Sequence, residues 1–184
     1  MKKVIGFAGS LRKESLNKKV LDQVKSQSEG VFEFEIVVLS DIPLFNADDE
    51  EGGDPLAVQA FKEKIIEADG VFIVTPEYSH GIPGVLKNAL DWAGSMTNRN
   101  ALNGKPAAVI GASPSILGTA FAQVQVKQTL TACGAHVLNQ PEVYIGSAHK
   151  LFDNEGKISD ESTLDILDEC LEAFQQWIER LKKE

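Results

Sequence analysis

Residues 3 to 17 read KVIGFA followed by GSLRKESLN, an apolar run that stops at Gly9 and gives way to a polar loop. A strand without polar alternation is covered on both faces, which in a chain of this size means a parallel sheet between two layers of helices. The same grammar recurs at residues 70 to 84, where GVFIV runs into TPEYSHGIPG. Where the strand order of an open parallel sheet reverses, the loops at the carboxyl ends of neighbouring strands share one crevice. The two polar loops therefore define the first place to look for chemistry.

Outward from these segments, apolar runs alternate with amphipathic stretches along the whole chain, the rhythm of strands joined by crossover helices. Strands are predicted near 3–8, 33–39, 70–75, 105–112 and 135–144, and helices near 16–28, 55–68, 83–95, 118–133 and 162–182. In the second strand Phe32, Phe34, Ile36 and Val38 alternate with Glu33 and Glu35, which suits an edge. The runs at 3–8, 71–74 and 107–110 are nearly continuous and belong in the centre. The order 2-1-3-4-5 meets both demands and the right-handed crossover rule, giving a flavodoxin-like three-layer αβα sandwich around a five-stranded parallel sheet. Asp54 offers an N-cap with Pro55 at the first helical position, and Gly134 ends the helix before it. Leu164, Leu167, Leu171, Phe174, Ile178 and Leu181 form one apolar stripe on the last helix, which reads as core. Residues 40–54 make the longest predicted loop.

With 184 residues and 43% hydrophobic content, the chain fills one domain spanning 1–184. The net charge of −9 opposes nucleic acid and anionic membrane as partners. No apolar stretch approaches the roughly 20 residues of a membrane span, so no membrane insertion is expected, and Met1-Lys2-Lys3 leads straight into a strand, as in a cytoplasmic protein. Cys133 and Cys170 fall in separate predicted helices without ligand spacing and read as buried, reduced thiols. His80, His136 and His149 are scattered, and no metal site is expected.

The first loop offers free backbone N–H groups, the hydroxyls of Ser10 and Ser15, the amide of Asn17 and the fixed cation of Arg12, at the positive end of a helix. A phosphate dianion wants this set of convergent donors. No Gly-x-x-x-x-Gly-Lys-Ser/Thr is present, and Gly6 and Gly9 have the wrong spacing for a dinucleotide turn, which disfavours resident NAD. An ordinary serine-capped helix uses the same residues. In the second loop Pro76 ends a strand, Tyr78 presents a ring, and Ile82-Pro83 opens a helix whose first amides are expected at the same crevice. A flavin ring suits this platform, and so does a plain proline-rich turn. The segment GASPSILGTA at 111–120 supplies a third wall with Ser113, Ser115, Gly118 and Thr119, or simply a capped helix start.

These loops, together with VLKNALDW at 85–92 and GKPAAVIGASP at 104–114, resemble the NAD(P)H-dependent FMN reductase family, which includes quinone, chromate and azo-dye reductases. The resemblance implies bound FMN, NADPH or NADH as cosubstrate, and a homodimer or homotetramer. It also implies a small-molecule electron acceptor such as a quinone, free flavin, azo dye or chromate. By position, Ser10, Arg12, Ser15, Leu16 and Asn17 hold the FMN phosphate, while Pro76, Glu77, Tyr78 and Ser79 line the isoalloxazine with Ser113 nearby. The chain departs from the pattern at Ser79, where the family commonly has asparagine, and at Ser115-Ile116-Leu117-Gly118, which replaces a glycine-richer turn. No side chain is assigned as catalytic, because the hydride chemistry belongs to the flavin. A carboxylate beside reduced flavin is unfavourable, so Glu77 is expected to pair with a basic residue, a partner across a subunit interface being one option. Trp92, with Leu86, Ala89, Leu90 and Ala93, suits either such an interface or the core. A flavodoxin-type electron carrier and a nonredox binding domain are the competing classes.

Overall fold

The computed structural model describes residues 1–153 and 155–182. In chain order the elements are β1 (Lys2–Ala8), α1 (Leu16–Gln27), β2 (Phe32–Ile36), α2 (Ala47–Glu50), α3 (Leu56–Glu67), β3 (Gly70–Val74), α4 (Gly84–Gly94), β4 (Pro106–Ala112), α5 (Ala120–Ala132), β5 (His136–Val137), β6 (Tyr144–Ile145), a 3₁₀ turn at Ala148–Lys150, and α6 (Glu161–Leu181). The parallel sheet runs β2-β1-β3-β4-β5, with β6 also on β4.

Successive residues of the central strands serve opposite layers, because side chains alternate across a sheet. Val4, Ala8, Phe72, Val74, Ala108 and Ile110 pack towards α1 and α6. Ile5, Phe7, Val71, Ile73, Ala107 and Val109 pack towards α3, α4 and α5. Both layers are apolar, which is why these strands show no polar alternation. The edge strand β2 instead buries Phe32 and Phe34 and exposes Glu33, as its alternation requires. On α6, Leu167, Leu171, Phe174 and Ile178 are buried, with Leu164 packed against the same core.

The structure corrects two boundaries, the fifth strand and the start of α3, and bears out Gly134 as the end of α5. The fifth strand, expected as one run over 135–144, is two short pieces separated by a stretch containing Pro141. Seven positions separate Val137 from Tyr144 but only four separate their partners Ala107 and Gly111, so the intervening chain leaves the sheet. Pro55 is itself the N-cap of α3, and the Asp54 carboxylate, instead of capping, accepts from Lys62 Nζ at 2.8 Å and Asn98 Nδ2 at 2.8 Å. Cys133 is the C-cap of α5, ahead of Gly134 at φ +78°, where a side chain would be strained.

The long segment before α3 is fastened to the helices beneath it. Asn88 Nδ2 and Trp92 Nε1 both donate to the carbonyl of Pro43, at 2.8 and 2.9 Å, and Phe45 packs edge-on to the Trp92 ring at 4.9 Å. Trp92, Leu86, Ala89, Leu90 and Ala93 are thereby all buried within the chain, so they are core and not a free face. Among the described residues no helix is long and apolar enough to cross a membrane.

Candidate active site

The carboxyl ends of β1, β3 and β4 lie side by side, tied by Gly9 N–H to Val74 O and Thr75 N–H to Ile110 O, each at 2.9 Å. Gly111 makes the close approach between β4 and its neighbours possible, since a Cβ there would stand 2.2 Å from Thr75 O and 2.0 Å from Thr119 Oγ1. Above these ends opens one cleft, and every residue expected at the site lines it except Ser79: Ser10, Arg12, Ser15, Leu16 and Asn17 on one side, Pro76, Glu77, Tyr78 and Ser113 on the other. Ala112 and Pro114 complete the wall. A second hollow beside it, between α1 and the end of β2, shares only Ser10 with the cleft.

The wall expected to hold a phosphate is built on the start of α1. Ser15 is the N-cap, its Oγ accepting from Lys18 N–H at 3.4 Å, and the first turn carries no acidic side chain. The N–H groups of Leu16 and Asn17, one and two residues inside the cap, have no partner among the described residues, as the first turn of a helix dictates. Buried Ser10 accepts from Arg12 N–H through its Oγ at 3.3 Å, which bends the loop and sends the exposed Arg12 side chain to the mouth of the cleft. The Asn17 side chain is engaged elsewhere: its Nδ2 donates to Ala112 O and its Oδ1 accepts from Ala112 N–H, both at 2.9 Å. It welds α1 to β4 like one rung of a ladder. Donors on this side are therefore backbone N–H groups, two hydroxyls and a guanidinium, a set that fits a phosphate dianion.

On the ring side Tyr78 is half-exposed, with its Oη 3.3 Å from Ser10 Oγ. Glu77 Oε2 accepts from the N–H of Ala122, in the first turn of α5, at 3.0 Å, while His80 Nδ1 stands 3.4 Å from Oε1. Within its own chain Glu77 thus meets the N-terminus of α5 and the His80 imidazole. Ser79 points out of the cleft wall: it and His80 form the tip of a tight turn at φ +50° and +58°. Ser113 lines the cleft, although its Oγ already accepts from Ser115 N–H at 3.1 Å. Gly84 and Val85 of α4, and Ser115 to Thr119, are not part of this wall. Ile116 and Leu117 project into solvent instead, and Thr119 is fully buried against Gln123. Sequence reading missed Gln125, whose amide reaches the turn from α5. Its only sequence signal is a polar residue on an otherwise half-apolar helix, which many surface helices share.

Residues 2–150 match the NADPH-dependent FMN reductase family. The chain is 42% identical over 180 residues to the NAD(P)H-dependent FMN reductase of Pseudomonas aeruginosa, covering 98% of this chain and 97% of that one. It is 37% identical over 176 residues to the 2-hydroxy-1,4-benzoquinone reductase of a Burkholderia species, covering 96% of each. Among solved structures, the flavoenzyme NAD(P)H:(acceptor) oxidoreductase FerB of Paracoccus denitrificans superimposes with a TM-score of 0.90 at 39% identity, covering 98% of each chain. By sequence and by fold, over nearly its whole length, the chain belongs to the NADPH-dependent FMN reductase family.

Proposed function

We propose that this protein is an FMN-dependent NAD(P)H oxidoreductase that delivers electrons to a small acceptor of the quinone class. The observation that carries the reading is the single cleft in which an arginine and a helix N-terminus, both without a partner among the described residues, face a tyrosine-bearing turn. Bound FMN would accept a hydride equivalent from NADPH or NADH and return two electrons to the acceptor. Arg12, the hydroxyls of Ser10 and Ser15, and the N–H groups of Leu16 and Asn17 would hold its phosphate. Pro76, Tyr78 and Ser113 would border the isoalloxazine, with Glu77 and Ser79 shaping the turn behind it. The chain's own part is binding, orientation and the exclusion of water, and no side chain has to act as acid or nucleophile.

The acceptor class rests on relatives named as quinone reductases. We further propose one FMN-binding domain over 1–184, and a homodimer or homotetramer. Exposed Phe121 and Val124 on α5 and Ile116 and Leu117 beside it favour such an assembly. Two free, well separated thiols fit a reducing cytoplasm. The test is the visible spectrum of purified protein before and after anaerobic NADH or NADPH, followed by benzoquinone. A flavin spectrum bleached by pyridine nucleotide and restored by the quinone is expected. A colourless protein that takes up no added FMN, or a flavin left oxidised by both nucleotides, overturns the reading.

A further inference from the structure

Tyr78 and Gly81 exchange both backbone hydrogen bonds, at 3.2 and 3.0 Å, across Ser79 and His80, which are both left-handed. This two-residue loop is a type I′ turn, which prefers asparagine, aspartate or glycine because both central residues need positive φ. Ser-His is a poor sequence for it, and such backbone persists only where the surroundings over-determine it. Here the surroundings are the first two turns of α5. Gln125 Nε2 donates to His80 O at 3.0 Å and its Oε1 accepts from Ile82 N–H at 3.1 Å, so one amide grips the chain on both sides of Gly81. Ala122 N–H holds Glu77 just before the turn, and Phe121 meets the His80 ring edge-on at 5.0 Å.

Resting on the flavin reading above, we infer that Gln125 is a positioning residue for the isoalloxazine end of the cleft. It keeps the Tyr78–Gly81 turn left-handed and thereby sets where Tyr78 stands against Ser10. The ring platform is carried by β3 but placed by α5.

Gln125→Met tests this, since it keeps the length and helix propensity of a partly buried side chain and removes both hydrogen bonds. Titrated against apoprotein, FMN and riboflavin are each expected to lose about tenfold in affinity, the scale of two neutral hydrogen bonds. In flavin-free protein the Gly81 amide should exchange faster with solvent while the melting temperature falls by only a few degrees, about 2 to 4 °C per kcal/mol. Adding S79N and H80G to Q125M writes the sequence that type I′ turns prefer and should restore both affinity and protection. Unchanged affinity or Gly81 protection in Q125M overturns the inference, as does a loss confined to FMN, which would place the fault at the phosphate end. Failure of S79N/H80G to rescue overturns it too. The exchange measurement needs no cofactor, so a wild-type chain that binds neither flavin overturns the cofactor reading and the role of Gln125 in it, while Gly81 protection still judges the clamp on the turn.

Discussion

Arg12→Ala separates the two ends of the cleft. Arg12 lies exposed at the mouth and makes no ion pair among the described residues. Its truncation leaves the loop path intact, because the bond to Ser10 Oγ comes from the Arg12 main chain. A guanidinium about 4 Å from a phosphate charge attracts it by about 4 kcal/mol at an effective dielectric of about 20. Competition with water reduces this to about 1.5 to 3 kcal/mol for a charge-assisted hydrogen bond, and exposure favours the lower end. The Kd for FMN should therefore rise about 10- to 30-fold, and that for riboflavin by less than about twofold, since only FMN carries the phosphate. Titration of apoprotein, followed by quenching of flavin fluorescence, reads both. The gap between the ligands should narrow with salt, as the Debye length falls from about 30 Å at 0.01 M to about 3 Å at 1 M. Arg12→Lys should fall between, keeping charge but losing the planar fork. Equal losses for FMN and riboflavin, or a gap indifferent to salt, refute the placement of the phosphate.

Asn17→Ala should act on stability, costing about 2 to 3 kcal/mol in urea unfolding by stranding Ala112 N–H and O, and it should weaken FMN and riboflavin equally; a loss specific to FMN would contradict the welding role. Burial pushes the Asp54 carboxyl up, but hydrogen bonds from Lys62 and Asn98 and the Lys62 charge outweigh it and hold the group below the usual range. Its stabilisation is present above the unfolded value of about 3.9 and is lost as pH falls through the lower folded value. Asp54→Asn should then cost about 3 kcal/mol at pH near 7 by leaving buried Lys62 unpaired, and the two proteins should converge in acid; a gap that persists there refutes the pairing. Burial raises the Cys170 thiol to about 12, and burial with the nearby Asp91 charge raises Cys133. Ellman's reagent on the native protein in mild base should label half-buried Cys133 slowly and Cys170 only after denaturation, and equal rates would show that the α6 thiol is not enclosed.

The sheet order was legible because it is written in single residues. Ile5 and Phe7 face one helical layer while Val4 and Ala8 face the other, and only a central strand needs both sets to be apolar. The alternation of Phe32, Glu33 and Phe34 marks the edge by the same logic. The fifth strand misled because Val137-Leu138 and Val143-Tyr144 were read as one run across the polar stretch 139–142, whereas Pro141 has no N–H to give a ladder and the chain detours around it. At the site, residue type told which groups bear the right chemistry, and the fold decided which of them are free. Asn17 has an amide, but Ala112, 95 residues away, takes both ends of it. Glu77 has a charge, but the start of α5 meets it. Trp92 looks like an interface anchor until Pro43 and Phe45 close over it. For Asn17 and Glu77 the deciding partner is distant in sequence, which no local pattern encodes, and for Trp92 such partners decide between the two readings left open.

Those partners also bear on how a chain of net charge −9 could hold the phosphate proposed above. The carboxylates carried by the two cleft loops are answered locally: Glu14 stands 3.6 Å from Lys19 Nζ, and Glu77 is turned onto the N–H of Ala122. The first turn of α1 has no acidic side chain to compete for its N–H groups. What is left at the cleft is the positive end of α1 and Arg12, which makes no ion pair among the described residues, while charges farther off are screened by salt beyond about 10 Å. The sign of a site is set by the charges that stay unpaired within a Debye length of it, so an acidic protein needs no basic surface to hold a phosphate. It needs its carboxylates near the phosphate loop to have somewhere else to go, and in this fold α5 supplies that place for Glu77 with the same stroke that fixes the turn bearing Tyr78.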